Sequence, residues 1–139
     1  MAPVREVYNY TNPVGGYANI PLAAPSSSIG TTLTNTARIE NEVLSLYDTK
    51  KKLVGKKINN RNRSNFENNT NGCVSNEVYL FDDGSYVMTL EWLDNFRQPN
   101  TKFVNKAIST GGKYAGKEVT VTIKACDNRG RKVILEYEK

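Results

Sequence analysis

The chain has 139 residues, 38% of them hydrophobic, and its 19 Lys and Arg against 14 Asp and Glu leave a net charge of +5. That length suits one domain with a modest core and leaves no room for a separate catalytic module. The sequence holds no histidine, which excludes Ser-His-Asp and Cys-His catalysis and every His-ligated metal site.

Chemistry is left to carboxylates, Tyr, Lys, Cys and backbone dipoles. The two cysteines, Cys73 and Cys126, have neither CxxC spacing nor histidine partners. No metal site and no cofactor are therefore expected, and whether the two thiols pair is left open. The stretch Met1 to Val7 lacks an uninterrupted apolar segment, and no run approaches the ~20 apolar residues of a membrane-spanning helix. The expectation is a protein without a secretion signal, cytoplasmic or within a particle assembled in the cytoplasm. Much of the positive charge gathers at Lys50, Lys51, Lys52, Lys56, Lys57, Arg61 and Arg63. With no aromatic residue interleaved before Phe66 and no nucleic-acid-binding motif around it, the run reads as a solvated hairpin end, and nucleic acid is not an expected partner.

In chain order, Val4 to Tyr10 alternates as a short strand. Asn12 to Thr36 then carries Pro13, Gly15, Gly16, Pro21, Pro25, a serine run and Gly30 with no period of 2 or 3.6, so it reads as an irregular arm. The organisation expected is a strand and arm over 1–36 and a β-barrel over 37–139, one domain in all. Arg38 to Asp48 and Leu53 to Ile58 are strands about a turn at Thr49 to Lys52, and Asn59 to Gly72 is an Asn/Arg-rich loop. Cys73 to Phe81 and Ser85 to Leu93 flank Asp82-Asp83-Gly84, a tight-hairpin signal. Thr101 to Ile108 is another strand, broken by the glycines of 109–116, and Glu118 to Cys126 with Arg131 to Glu138 makes a last hairpin.

Tyr86, Met88, Leu90 and Trp92 share one face of their strand, and Val119, Val121, Ile123 and Ala125 share one face of theirs. The alternate face carries Glu118, Thr120, Thr122 and Lys124, as expected when one side of an antiparallel sheet meets water. The class predicted is all-β, a single antiparallel barrel of about eight strands with an irregular N-terminal arm and no long helix.

The segment Ala107-Ile-Ser-Thr-Gly-Gly-Lys-Tyr-Ala-Gly116 resembles the glycine-rich signature of the allene oxide cyclase and dirigent barrel superfamily. In family order, Leu46 to Gly55 resembles its strand, acidic turn and return, Asn71-Gly-Cys-Val74 a cyclase strand start, Phe81-Asp-Asp-Gly-Ser85 its central hairpin, and Glu6-Val-Tyr-Asn-Tyr10 its first strand. The resemblance implies an eight-stranded barrel whose lumen takes an apolar small molecule. It places Cys73 where a lumen cysteine stands and Asn12 near a water-holding asparagine. The carboxylate before that asparagine is not matched, and Glu91-Trp92 replaces the glycine that ends the central hairpin.

Two functions are weighed. The first is a non-catalytic barrel serving as a structural or assembly component of a larger protein complex, such as a viral particle, joined to its partners or to its own copies through Val14, Tyr17, Ile20 and Leu22 of the arm. These apolar residues would be wasted in solvent. The alternative is a small-molecule-binding barrel or a cyclase/isomerase resembling allene oxide cyclase, with Cys73 and Asn12 as its candidate catalytic residues. Read by themselves, Cys73 is a small buried hydrophobe, Gly111, Gly112 and Gly116 bend a strand at a barrel corner, Tyr114 and Trp92 are packing residues, and Glu40 with Glu42 is a solvated pair on one strand face.

Overall fold

The structure, a computed structural model, describes residues 3–21, 36–65, 72–94, 102–126 and 130–139, with side chains within 3–10, 39–62, 74–92, 102–124 and 131–139. Among the described residues nine strands follow in order: β1 Val4–Pro21, β2 Thr36–Tyr47, β3 Leu53–Asn65, β4 Gly72–Phe81, β5 Tyr86–Asp94, β6 Lys102–Lys106, β7 Ser109–Gly111, β8 Thr120–Cys126 and β9 Gly130–Tyr137. One 3-10 turn, Gly112–Tyr114, lies between β7 and β8, and there is no α-helix among the described residues.

The strands form one antiparallel sheet in the order β6-β8-β9-β1-β2-β3-β4-β5-β7. Its two edges belong to a single stretch of chain. β6 pairs with β8 and β7 with β5, and only Ala107 and Ile108 separate them. The Ala107 amide donates to Val119 O and the next amide, of Ile108, to Met88 O, both at 2.8 Å. The chain thus steps from one edge to the other and curls the sheet into a barrel. Counted once, this kinked strand gives the eight strands expected.

Local chemistry explains the tight connections. At the β4–β5 turn Gly84 has φ +87°, a conformation that L side chains resist, and the Ser85 amide donates to Asp83 Oδ1 at 2.8 Å. At the β2–β3 turn Lys51 has φ +64°, and Asp48 Oδ1 accepts from the Lys50 and Lys52 amides at 2.9 Å each. The glycine-rich segment turns a corner as expected, with Gly112 at φ +63° and Gly116 at φ +73°.

Two expectations are corrected. The irregular arm is strand as far as Pro21: Val14 pairs with Val43, Tyr17 with Glu40 and Ile20 with Ala37 across β1 and β2. Antiparallel pairing satisfies the backbone despite poor local strand propensity, and Asn12-Pro13 falls at the register shift between Thr11 and Val14, where a missing N–H costs no ladder bond. Residues 22–35, with Leu22 among them, lie outside the described residues. Likewise β3 continues as far as Asn65, through half of the expected loop.

The second correction concerns β5. Its interior positions are Val87, Thr89 and Glu91, all buried, whereas Leu90 and Trp92 are 51% and 62% exposed. Trp92 is therefore not a core packing residue. The hydrophobic core fills one end of the barrel, with Tyr8, Leu46, Phe81, Val87, Tyr114, Val119, Val121, Val133 and Leu135. Tyr114, fully buried as expected of a packing residue, plugs that end, its ring centroid 5.6 Å from Phe81 and 5.4 Å from Tyr137. Its hydroxyl donates to Glu6 Oε1 at 2.7 Å while Lys113 Nζ donates to Glu6 Oε2 at 2.7 Å, stapling β1 to the 3-10 turn.

Candidate functional site

Side chains alternate across a strand, so every second residue of β2 to β5 faces the lumen. Register sets these residues in rungs. Above the apolar plug lies Leu44–Lys57–Tyr79–Val87, then Glu42–Asn59–Glu77–Thr89, then Glu40–Arg61–Ser75–Glu91. All are buried except Glu42, which is half-buried. The upper two rungs are wholly polar. Val121 and Ile123 of β8 and Val133 of β9 are apolar, buried and part of the hydrophobic core. The interior is thus polar along β2–β5 and apolar along β8 and β9.

The basic run therefore divides. Lys50, Lys51, Lys52 and Lys56 are exposed, as a solvated hairpin end requires, but Lys57 and Arg61 point inward and are buried. Lys57 Nζ lies 3.3 Å from Glu77 Oε1 and stacks over the rings of Tyr10 and Tyr79, 4.2 and 5.5 Å from their centroids. Arg61 reaches the same Glu77 oxygen at 3.3 Å and Glu42 Oε2 at 3.5 Å, with Nε donating to Ser75 Oγ at 3.4 Å. Asn59 Nδ2 donates to Glu42 Oε2 at 3.3 Å. Glu40 and Glu42 are thus lumen residues on a charged wall and not a solvated pair.

Burial works against the charge of Glu77, yet Lys57, a hydrogen bond with Glu91 and Arg61 outweigh it and hold the carboxyl at about 2. The neighbouring Glu91 goes the other way. Burial first, then the hydrogen bond and charge of Glu77, push it up to about 8. Two buried carboxyls facing one another cannot both ionise cheaply, so Glu77 keeps its charge and Glu91 keeps the proton. Burial and the charge of Glu77 also push the Tyr79 phenol well up.

Several buried atoms here find no hydrogen-bond donor or acceptor among the described residues: the Tyr10 and Tyr79 hydroxyls, Asn59 Oδ1 and Thr89 Oγ1. Each such group costs about 1–3 kcal/mol unless water or a ligand satisfies it. A concentration of them on one wall marks a place built to hold something polar.

The catalytic and interface candidates named from the sequence lie outside the described side chains. By backbone register Cys73 pairs with Arg63 and Leu93, at the barrel end beyond Glu91, and Asn12 lies in the β1 register shift. The side chains of Cys73, Asn12, Val14, Tyr17, Ile20 and Cys126 lie outside those described. Among the described residues no group of His, Cys, Asp and Glu has the arrangement of a metal site. Among the described residues no helix is long and apolar enough to cross a membrane.

No family model matches the chain, and no curated protein matches it. Solved structures do. A pyocyanin demethylase superposes with a TM-score of 0.63 at 14% identity, covering 96% of this chain and 99% of that one. AbnU, an exo-specific intermolecular Diels-Alderase, gives 0.62 at 13% identity over 97% and 96%, and the pterocarpan synthase dirigent protein GePTS1 gives 0.56 at 16% over 99% and 89%. At such identities the likeness is one of fold: this chain is an antiparallel barrel of the kind those proteins share.

Proposed function

We propose that the chain is a small-molecule-binding barrel whose ligand lies in the lumen between the charged wall of β2–β5 and the apolar wall of β8–β9, with its polar end toward Lys57, Glu77 and Glu91. The observation that carries this is the buried polar interior of β2–β5, where the Tyr10 and Tyr79 hydroxyls, Asn59 Oδ1 and Thr89 Oγ1 have no partner among the described residues. A water-soluble barrel with no use for its interior fills it with apolar side chains, because a buried ion pair is at best neutral against a packed hydrophobic equivalent. The pyocyanin demethylase and the Diels-Alderase add that barrels of this shape carry enzymes of small molecules, which favours the catalytic form of the reading. Cys73 and Asn12 stay as secondary candidates from the cyclase resemblance.

The test is methyl NMR of the wild-type chain with β-tetralone, an amphipathic ketone, as probe. Shifts at Val121, Ile123 and Val133, removed by the lumen-filling change Thr89→Trp in a chain that keeps its melting transition, are the expected result. Shifts confined to the outer surface, or none, overturn the reading.

A second reading, protein association, is favoured by the outer face of β4 and β5. Its positions Val74, Asn76, Val78, Leu80, Tyr86, Met88, Leu90 and Trp92 carry no charge although the chain is +5, and Val74, Leu80, Leu90 and Trp92 are 37–62% exposed. Such a face suits a second copy of the chain, since like-charge contacts are absent from it. Sedimentation of wild type against Leu90→Ser with Trp92→Ser decides: a monomer in both removes the reading.

A further inference from the structure

We propose that the outer face of β6, β8, β9, β1 and β2 binds single-stranded nucleic acid, with phosphates on Lys102, Lys124 and Lys132 and a base stacked on Tyr47. This goes beyond the small-molecule reading and uses none of its residues.

The fold assembles what the sequence scatters. Lys102 of β6 pairs with Lys124 of β8, Lys124 with Lys132 of β9, Lys132 with Asn9 of β1, and Asn9 with Tyr47 of β2. The inward side chains of these strands include Phe103, Ile123, Val133, Tyr8, Tyr10 and Leu46, all in or against the core. The alternate residues Lys102, Lys124, Lys132, Asn9 and Tyr47 therefore share the outer face, and the three lysines are exposed.

Like charges directly opposite one another on neighbouring strands, about 5 Å apart, are destabilising. Among the described residues none of the three lysines forms an ion pair or a hydrogen bond. Lys106, two rungs along the same face, is by contrast paired with Glu118. The rung between, Val104–Thr122–Ile134–Val7, carries no charge, and the nearest acid on the outer face of β8 and β9, Glu136, is four residues from Lys132, about 13 Å away. Lys102 and the segment 124–132 together hold five cations and one acid, so the rest of the chain, with 14 against 13, is close to neutral. The net charge of the protein is in effect the charge of this patch.

Such a row calls for a chain of anions. It is linear and on a convex surface, so a small anion meets one or two of its lysines, whereas a phosphate backbone meets all three in turn, each flexible stem adjusting to the phosphate spacing. The row then continues into the amide of Asn9 and the half-buried ring of Tyr47, about 19 Å from Lys102 across five strands. An acidic peptide or a sulfated sugar has no use for the ring, and a duplex keeps its base faces stacked within itself. A single strand offers them. The expectation against nucleic acid rests on the run at 50–63, where no aromatic residue is interleaved; this row comes from other strands and has one.

The experiment is fluorescence anisotropy of a labelled oligothymidylate with the wild-type chain as salt is raised from about 50 to about 200 mM. Three phosphate contacts on a single strand give a slope of log affinity against log salt of about −2. Lys124→Gln with Lys132→Gln should bring it to about −0.7, Lys124→Arg should keep it, and the equal charge loss of Lys56→Gln with Lys139→Gln should leave it unchanged. Tyr47→Leu should weaken binding about 10-fold at the same slope. Melting transitions confirm that each variant is folded. No binding at about 50 mM salt, or an equal loss in the Lys56 and Lys139 control, overturns the proposal. So does heparin binding as tightly as the oligonucleotide with Tyr47→Leu without effect, which would make the face a site for any polyanion. None of these outcomes bears on the lumen.

Discussion

Replacing Glu91 by Gln keeps the shape and hydrogen-bonding capacity of a protonated carboxyl but removes its titration. In the wild-type chain Glu91 holds a proton up to about 8, whereas the unfolded chain gives that proton up near 4.5. Its folded-state pKa is raised, so its contribution to stability is complete below the unfolded value and is lost progressively as pH climbs from about 4.5 to about 8. One proton bound in excess by the folded state corresponds to a slope of about 1.4 kcal/mol per pH unit, and screening by water near the carboxyl reduces this to about half. Between about pH 5.5 and about pH 7.5 wild type should therefore lose ~1.5 kcal/mol relative to Glu91→Gln. Guanidinium denaturation of both proteins across that range measures it, the titrations common to the two cancelling in the difference. A difference that stays constant with pH would refute the assignment of the buried proton to Glu91.

Glu77→Gln leaves Lys57 and Arg61 as buried charges without their shared partner and should destabilise by about 3–5 kcal/mol, whereas the double change Glu77→Leu with Lys57→Met should cost markedly less; denaturation midpoints of the cycle give the coupling. The folded-state pKa of Glu77 is depressed, so the stability it contributes is present above about 4.5 and falls away as pH drops toward about 2, an acid limb that Glu77→Gln lacks. Tyr114→Phe removes the 2.7 Å bond to Glu6 at the plugged end and should lower stability by about 1–2 kcal/mol, read from the melting transition, with the Phe81 and Tyr137 ring contacts kept. Gly84→Val puts a β-branched residue at φ +87°, where no neighbour lies within 4 Å of the added carbon, so a cost of at least ~1 kcal/mol would come from backbone strain alone.

The hairpins were readable because their chemistry is local: Asp83-Gly84 and the glycines of 111–116 need positive φ wherever they sit, and they mark the turns on which the barrel hangs. The charged wall was not readable for a definite reason. A hairpin tip at Asp83-Gly84 implies that Glu77 pairs with Thr89 and that Glu91 shares their face, but it does not say which face is inside. Along β5 the apolar set Tyr86, Met88, Leu90 and Trp92 argues for the wrong one, because hydropathy reads a barrel with a polar lumen inside out. The signal that could have exposed it is the repetition of polar residues, three of them charged, at every second position, Lys57, Asn59, Arg61 and then Ser75, Glu77, which is what an interior polar wall looks like in one dimension. The strand from Asn12 to Pro21 was hidden by its prolines and glycines, and only its long partner β2 makes it a strand.

The step of the chain from β8 to β5 at Ala107 and Ile108 has a kinetic side. β7 is joined to β5 through three paired positions, while β2 and β3 share twelve. Separating β7 from β5 breaks few bonds and leaves the long strands and the aromatic plug intact, so the cheapest local unfolding of this molecule is a lateral unzipping along that line. Amides of 108–111 then exchange with solvent ahead of those in β2 and β3. Unzipping also uncovers Val87 and Thr89 from the side, a doorway that does not run through the barrel ends. A molecule using it would associate at a rate that levels off with concentration, because the gate and not diffusion would set the pace.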